Sequence, residues 1–370
     1  MTMIKYLGVE KWGLWKSLCP PLVVAGPCSA ETEEQVYGTA AALKAAGIGV
    51  FRAGLWKPRT HPASFEGVGE RGLPWLVRVQ RELGMRVATE VANAHHVEQA
   101  LHAGLDLLWL GARTTANPFA VQEIADALQG TDIPVLVKNP VNPDLELWLG
   151  ALERLERAGI CRIGAVHRGF SAYGEMKYRN LPQWQLPIEI RRRCPDMPVL
   201  CDPSHLAGRR EYVREIAQQA MDLGFDGLMV ESHVCPEQAL SDAAQQLTPA
   251  ALGEMLAGLV VRQEDTENPV YKANIDELRS RIDAIDNELV DLLGLRMEIS
   301  AQIGEYKKQN NITILQTGRW EKVLERVLAR GAEKGLDAGF LERIFTAIHR
   351  ASIDRQSNVM QDGESQGENV

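Results

Sequence analysis

The sequence predicts an α/β protein: a (β/α)₈ TIM barrel followed by an all-α domain of three helices. Three observations predict it. Short strand-like runs alternate with helical patterns eight times between residue 21 and about residue 261. A polar, proline-containing stretch, RQEDTENPVYKA at 262–273, then interrupts the pattern as a linker would. Beyond it strand signals stop and the apolar period is helical only.

The strand-like runs are PLVVAG at 21–26, GVFRAG at 49–54, RVATEV at 86–91 and LLWLGA at 107–112. They continue with PVLVKN at 134–139, CRIGAVHR at 161–168, PVLCD at 198–202 and GLMVESH at 227–233. Between them lie stretches such as EEQVYGTAAALKAAG and NAHHVEQALHAG, whose apolar residues recur at helical spacing and which end in glycine, a common helix stop. After the linker, Ile275, Leu278, Ile282, Ile285, Leu289 and Leu292 step by threes and fours, as one face of a long helix requires. The same step then lands on Arg296, Ile299 and Ile303. Two shorter helices are expected near 318–334 and 338–356. The boundaries read 1–261 for the barrel domain, 262–273 for the linker, 274–357 for the helical domain and 358–370 for a polar, disordered tail.

Charge and composition narrow the function. Forty basic against 49 acidic residues give a net charge of −9, which argues against nucleic acid as a partner. No apolar run approaches the roughly 18 residues of a membrane span, and the first residues lack a signal-peptide apolar core. A cytoplasmic enzyme without a membrane partner is expected. The six cysteines, at 19, 28, 161, 194, 201 and 235, have no paired spacing and read as thiols in a reducing compartment.

In such barrels the working residues gather at the C-terminal ends of the strands. Two chemical groups stand there. Cys28, His205, Glu231 and Asp242 offer a thiolate, an imidazole and two carboxylates, a set that suits a divalent Mn²⁺, Fe²⁺, Co²⁺ or Zn²⁺ ion. Arg52, Lys57, Arg59, Arg113, Lys138 and Arg168 are six cations aimed at one end of an acidic protein, and predict a polyanionic substrate. His167, Lys57 and Asp202 are candidates for moving protons.

The series AGPCSAE, FRAGLWKPRT, GARTT, VKNP, AVHRGF, CDPSH and VESH resembles the signatures of type I 3-deoxy-D-arabino-heptulosonate 7-phosphate (DAHP) synthases, in the short Iβ form, over roughly residues 20–260. The resemblance implies that Cys28, His205, Glu231 and Asp242 bind the metal. It gives phosphoenolpyruvate to Arg52, Lys57, Arg113, Lys138 and Arg168, and erythrose 4-phosphate to Arg59 and Thr60. The implied reaction is an aldol-like condensation of the two with loss of phosphate. Two rivals share the barrel. One is a 3-deoxy-octulosonate 8-phosphate synthase using arabinose 5-phosphate, against which the KPRT motif argues. The other is a Schiff-base aldolase with Lys138 as nucleophile.

In the helical segment, Arg296 interrupts an apolar seam, so an anion or a wet pocket must meet it. Lys307 follows on nearly the same face, about 20° round and about 16 Å along. Arg279 lies about 25 Å the other way, turned by about 100°, so an antiparallel partner helix is needed to bring an Arg279 close. Residues 270–357 resemble the all-α chorismate mutases. The resemblance implies that Arg279 of a partner chain, Arg296, Lys307, Arg319, Ser352 and Gln356 bind chorismate, with Lys307 and Gln356 at the ether oxygen. It also implies a homodimer through this domain. Gln316 and Trp320 replace acidic residues of the family pattern, which weakens recognition of the substrate hydroxyl. A helical domain that only dimerises, or that only binds an effector, is the alternative. Prephenate is the expected effector, lowering synthase activity when bound.

Overall fold

The computed structural model describes residues 6–15, 21–57, 64–174, 176–263 and 265–361, with Thr317 described for its backbone only. It divides into two compact units, 1–264 and 265–370.

The first unit alternates each strand with one or two helices: β1 Leu22–Gly26, α1 Glu33–Ala45, β2 Val50–Arg52, α2 Leu73–Leu83, β3 Arg86–Val91, α3 Ala94–His102 and β4 Leu107–Leu110. It continues with α4 Ala112–Thr115, α5 Pro118–Leu128, β5 Val135–Lys138, α6 Leu145–Arg157, β6 Ile163–His167, α7 Gln185–Arg193 and β7 Val199–Cys201. It ends with α8 Pro203–Ala207, α9 Arg210–Asp222, β8 Gly227–Glu231 and α10 Pro249–Ala257. The eight strands form a closed parallel barrel in sequence order, with β8 paired to β1 from Leu22 opposite Gly227 to Gly26 opposite Glu231. The expected eight-stranded barrel is therefore present. The short helices α4 and α8, each directly after a strand, are features that periodicity did not reveal. A helix of four or five residues has no measurable period. What makes α8 is local: Asp202 caps it by accepting the His205 N–H at 3.0 Å, and Pro203 occupies its first turn.

Strand side chains alternate between two layers. Val24, Val50, Ala88, Leu107, Trp109, Leu136, Val166, Leu200 and Met229 fill the barrel interior, closed at its N-terminal end by Trp12 and Leu14. Their neighbours Ala25, Phe51, Val87, Leu108, Val137, Ala165, Cys201 and Val230 belong to the larger core shared with the surrounding helices. Each such fully buried Val, Leu or Met contributes about 1.5–3 kcal/mol relative to exposure. This alternation decides which residues reach the site.

The second unit is α11 Pro269–Gln309, α12 Thr317–Glu333 and α13 Ala338–Gln361. Asn268 caps α11 by accepting the Val270 and Tyr271 N–H groups, and Pro269 fills the first turn. The helix thus begins inside the stretch read as a linker. At its other end α13 runs on to Gln361, past the expected start of the tail, with Lys308 donating to the Val359 carbonyl at 3.0 Å. Gly304 lets α11 and α13 approach: a Cβ there would lie 3.2 Å from Gln356 Cα. Among the described residues of this unit, Leu341 is the one buried large apolar side chain. Leu278, Ile282, Ile285, Leu289, Leu292, Ile299 and Ile303 remain about half exposed. No described helix is long and apolar enough to cross a membrane.

Candidate active site

Counting two residues onward from the interior layer leads from Val50 to Arg52, Ala88 to Glu90, Leu136 to Lys138, Val166 to Arg168, Leu200 to Asp202 and Met229 to Glu231. The period of two therefore delivers six ionisable side chains to the C-terminal mouth. Five of them, all but the half-buried Arg168, are buried. They are paired rather than loose. Arg52 Nη2 lies 3.2 Å from Glu231 Oε1, and its guanidinium sits 4.8 Å above the Trp109 ring. Arg52 Nε and Nη1 are buried without a hydrogen-bond partner. Lys57 Nζ lies 3.3 Å from Glu90 Oε2. Burial works against the Glu90 charge, but the Lys57 and Lys138 ammonium groups hold its carboxyl below the usual range.

Asp202 is the hub of the opposite wall. Its Oδ2 faces Lys138 Nζ at 2.6 Å and His205 Nδ1 at 2.8 Å, while Oδ1 caps α8. Desolvation alone would raise this carboxyl; His205 and Lys138 outweigh it and hold it well below the usual value. Burial lowers the Lys138 ammonium from its ordinary value, with Asp202 acting in the other direction. Burial also brings Arg168 down to about 10. Arg113, on the first turn after β4, is exposed, and its charge adds to the lowering at Arg168.

Cys28 follows β1, Glu231 ends β8, and Asp242 sits in a left-handed turn at φ +48°. Their ligand atoms lie within 4.8 Å of one another, with Cys28 Sγ 3.2 Å from Asp242 Oδ2. The two loops are stitched together. The Cys28 N–H donates to Gln246 Oε1, Ser29 meets Ser241, and Glu31 accepts the Leu240 N–H. Desolvation, then Glu231, push the thiol up to about 12. Burial and two facing carboxylates make the thiol keep its proton; a divalent cation among the three would offset that negative charge and take the thiolate, so the donor set fits a metal. His205, the fourth expected ligand, points Nε2 at Glu231 Oε1 from 3.7 Å but commits Nδ1 to Asp202.

In the helical unit, Arg296 of α11 donates to Ser352 Oγ of α13. Ser352 and Gln356, one turn apart, are both buried, and Gln356 Oε1 has no partner. Lys307 Nζ meets the Ile314 carbonyl at 2.5 Å. Burial lowers both Arg296 and Lys307 from their ordinary values. Trp320 stacks on His349 with ring centroids 4.2 Å apart. Arg279 is exposed, 3.7 Å from Asp276, and Arg319 is exposed on the first turn of α12.

Residues 19–267 match the DAHP synthetase I family. The chain belongs to that family. Its C-terminal part, residues 278–357, matches chorismate mutase type II. A phospho-2-dehydro-3-deoxyheptonate aldolase of Thermotoga maritima is 35% identical over 225 residues, 61% of this chain and 64% of that protein. The chain thus aligns with somewhat less than two thirds of that relative. A 2-dehydro-3-deoxyphosphooctonate aldolase of Desulfotalea psychrophila is 29% identical over 262 residues, 65% of this chain and 89% of that protein. Among solved structures, a DAHP synthase from Thermotoga maritima superposes with a TM-score of 0.58 at 33% identity, covering 64% of this chain and 67% of that one.

For this member of the DAHP synthetase I family the candidates from sequence fall into three sets. Arg52, Lys57, Lys138, Asp202, Glu231, Cys28 and Asp242 share one mouth, with His205 and Arg168 at its edge. Arg59 and Thr60 lie outside the described residues. His167 is a correction. It has the parity of Ala165, so it faces the helices, packed against Phe170, Trp184 and Phe225 with centroids 5.7, 5.1 and 6.4 Å away. Burial there lowers it to about 3, a neutral ring in an aromatic box rather than a proton carrier. Sequence reading missed Glu90, Arg179, Asn180 and Gln245. Glu90 was legible, because it stands two residues after an interior alanine. Gly111 supports it: a Cβ there would fall 2.1 Å from Glu90 Oε1, so only glycine leaves room for the carboxylate.

Proposed function

We propose that the barrel condenses phosphoenolpyruvate with erythrose 4-phosphate to DAHP and phosphate, and that the helical domain rearranges chorismate to prephenate. The observation that carries the first reading is Arg52, a fully buried guanidinium with two unmet donors whose charge is felt by Lys57 and Lys138. A cluster of cations with donors to spare attracts an anion, and the two substrates would otherwise repel each other. Arg52, Lys57, Arg113, Lys138 and Arg168 grip the phosphate and carboxylate of phosphoenolpyruvate; Arg59 and Thr60 take the aldehyde phosphate. Cys28, His205, Glu231 and Asp242 would hold a divalent metal, which supplies Lewis-acid polarisation of the aldehyde oxygen. Asp202 orients Lys138 and His205. With His167 outside the mouth, Lys57 Nζ is the acid that faces the pocket. The pairing of Lys138 with Asp202 at 2.6 Å argues against a Schiff-base nucleophile.

The test is phosphoenolpyruvate consumption with erythrose 4-phosphate, lost on chelation and restored by Mn²⁺ or Zn²⁺, with no borohydride trapping. Persistence of activity after complete metal removal would overturn the reading. A second reading, arabinose 5-phosphate as the aldehyde, is favoured by the similarity to 2-dehydro-3-deoxyphosphooctonate aldolases. The two aldehydes assayed side by side decide it.

For the helical domain, Arg296, Lys307, Ser352 and Gln356 supply donors to a dicarboxylate and its ether oxygen, and charge complementarity suffices for a rearrangement. The exposed apolar face of α11 supports a homodimer in which the partner lends Arg279. Prephenate bound there is the proposed effector of the barrel, in a cytoplasmic protein. Chorismate loss that vanishes in Arg296→Ala, with phosphoenolpyruvate consumption intact, is the expected result. Unchanged synthase kinetics at saturating prephenate would rule out the regulatory part.

A further inference from the structure

After β6 the chain leaves at Phe170 and returns at Leu181, the two residues exchanging backbone hydrogen bonds of 2.9 and 2.8 Å. The returning limb lies on the end of α8. The Arg179 and Asn180 N–H groups donate to the Ala207 and Leu206 carbonyls at 3.3 and 3.2 Å. The approach is close because position 208 is glycine: its φ is +70°, and a Cβ there would sit 2.3 Å from Arg179 Cβ.

Two consecutive side chains are placed by this contact. Arg179 Nη1 donates to Asp242 Oδ1 and to Gln245 Oε1, both at 2.9 Å, and Gln245 Nε2 donates to Glu231 Oε2 at 2.7 Å. Asn180, only 5% exposed, faces the other half of the site. Its Oδ1 accepts from Arg168 Nη1 at 2.9 Å, and its Nδ2 donates to the His205 carbonyl at 2.6 Å. Arg168 is held from behind as well, its N–H donating to Asn139 Oδ1 at 2.7 Å.

We propose that Asn180 is a positioning residue that fixes the Arg168 guanidinium against the Asp202–His205 turn without neutralising it. The inference rests on the reading of Arg168 as part of a phosphoenolpyruvate grip. The chemistry selects an amide. One short side chain must accept from a cation at one end and donate to a carbonyl at the other, and asparagine does both. Aspartate accepts only. Placed 2.9 Å from Arg168, its charge would pair with the guanidinium and compete with the substrate anion. Lys57, Lys138 and Arg52 all have carboxylate partners; a neutral partner at Arg168 leaves its charge for the substrate.

The experiment compares wild type, Asn180→Ala and Asn180→Asp as full-length, Mn²⁺-loaded protein. Phosphoenolpyruvate affinity is measured by calorimetry without aldehyde, KM is measured for each substrate, and folding is followed by circular dichroism. Losing one hydrogen bond to a charged group predicts about a tenfold weaker phosphoenolpyruvate affinity for Asn180→Ala. Asn180→Asp should bind more weakly still, although it is closer in shape, and KM for the aldehyde should stay unchanged in both. A purely structural role reverses that order, so Asn180→Asp binding as well as or better than Asn180→Ala overturns the proposal. Should Asn180→Asp fail to fold, Asn180→Ser keeps a neutral acceptor, and its affinity must exceed that of Asn180→Ala. Inorganic phosphate, titrated alongside, separates this claim from the substrate assignment. A wild type that binds phosphate but not phosphoenolpyruvate, with the same order of variants, overturns the substrate and upholds Asn180. Equal phosphate affinity in all variants overturns Asn180.

Discussion

Replacing Asp202 by asparagine removes one charge and almost no volume, and so tests whether the Lys138 wall is electrostatic. The carboxylate is fully buried, lies 2.6 Å from Lys138 Nζ and 2.8 Å from His205 Nδ1, and caps α8. The substituted amide could still cap the helix, but Lys138 would be left as a buried ammonium without its ion-pair partner, with Glu90 the remaining carboxylate whose charge it feels. Breaking a buried pair from one side costs about 3–5 kcal/mol. At about 2–4 °C per kcal/mol for a domain of this size, Tm should fall by roughly 6–20 °C. The pH dependence follows from the directions of the shifts. The folded carboxyl titrates below its unfolded value, so its stabilisation is complete above about pH 4–5 and is lost as pH falls through the folded value. The difference in Tm between wild type and variant is therefore full at neutral pH and closes in acid. It also narrows toward alkaline pH, where Lys138, deprived of the anion that opposed burial, sheds its proton more easily. Asp202→Asn with Lys138→Met should regain most of the stability while remaining unable to bind phosphoenolpyruvate. Calorimetric melts across pH check this. A Tm loss below about 2 °C with intact phosphoenolpyruvate affinity refutes the reasoning.

Other expectations are simpler. Cys28→Ser should weaken Zn²⁺ binding more than about 100-fold by equilibrium dialysis, beyond what changes outside the ligand set produce. Gly111→Ala places a Cβ 2.1 Å from Glu90 Oε1 and must displace that carboxylate from Lys57; about 1–3 kcal/mol of stability should go, with reduced phosphoenolpyruvate affinity. Ile285→Glu, on the exposed face of α11, should convert a dimer to a monomer in sedimentation velocity, and an unchanged mass would argue against that face as the interface.

How far the site was legible in the sequence comes down to parity. Arg52, Lys138, Arg168, Asp202 and Glu231 stand at strand ends in the interior register, and their charge drew attention to them. His167 is adjacent to Arg168, and adjacency is what misled: one residue along a strand is the opposite face. Glu90 obeys the same rule, two residues on from Ala88, and a buried cation such as Lys57 needs a carboxylate of this kind. Arg179, Asn180 and Gln245 were beyond reach. They come from loops, where no period relates sequence to direction, and their placement depends on Gly208 meeting Arg179. In the helical unit, spacing singled out Arg296 on α11, and the resemblance to the all-α chorismate mutases pointed to Ser352 and Gln356 on α13. Spacing could not give the ends of α11 and α13, which are set by the Asn268 cap and by the Lys308 contact to Val359.

The pairing at the mouth couples the affinities for metal and substrate. Glu231 and Asp242 are shared: each belongs to the candidate metal set and each also engages an arginine, Arg52 at 3.2 Å and Arg179 at 2.9 Å. A cation bound by those carboxylates draws their charge away from the arginines, so metal and substrate anion compete for nothing and each improves the site for the other. Coupling of this kind between adjacent sites amounts to about 1–3 kcal/mol, or roughly 5–150-fold in affinity, and must be reciprocal. Phosphoenolpyruvate should therefore bind more tightly in the presence of Mn²⁺, and Mn²⁺ more tightly in the presence of phosphoenolpyruvate, by the same factor. Calorimetry on the chelated and reloaded protein measures both legs. Affinities for phosphoenolpyruvate that agree with and without metal would show that Arg52 is not held back by Glu231, and that its unmet donors serve packing over Trp109 rather than substrate.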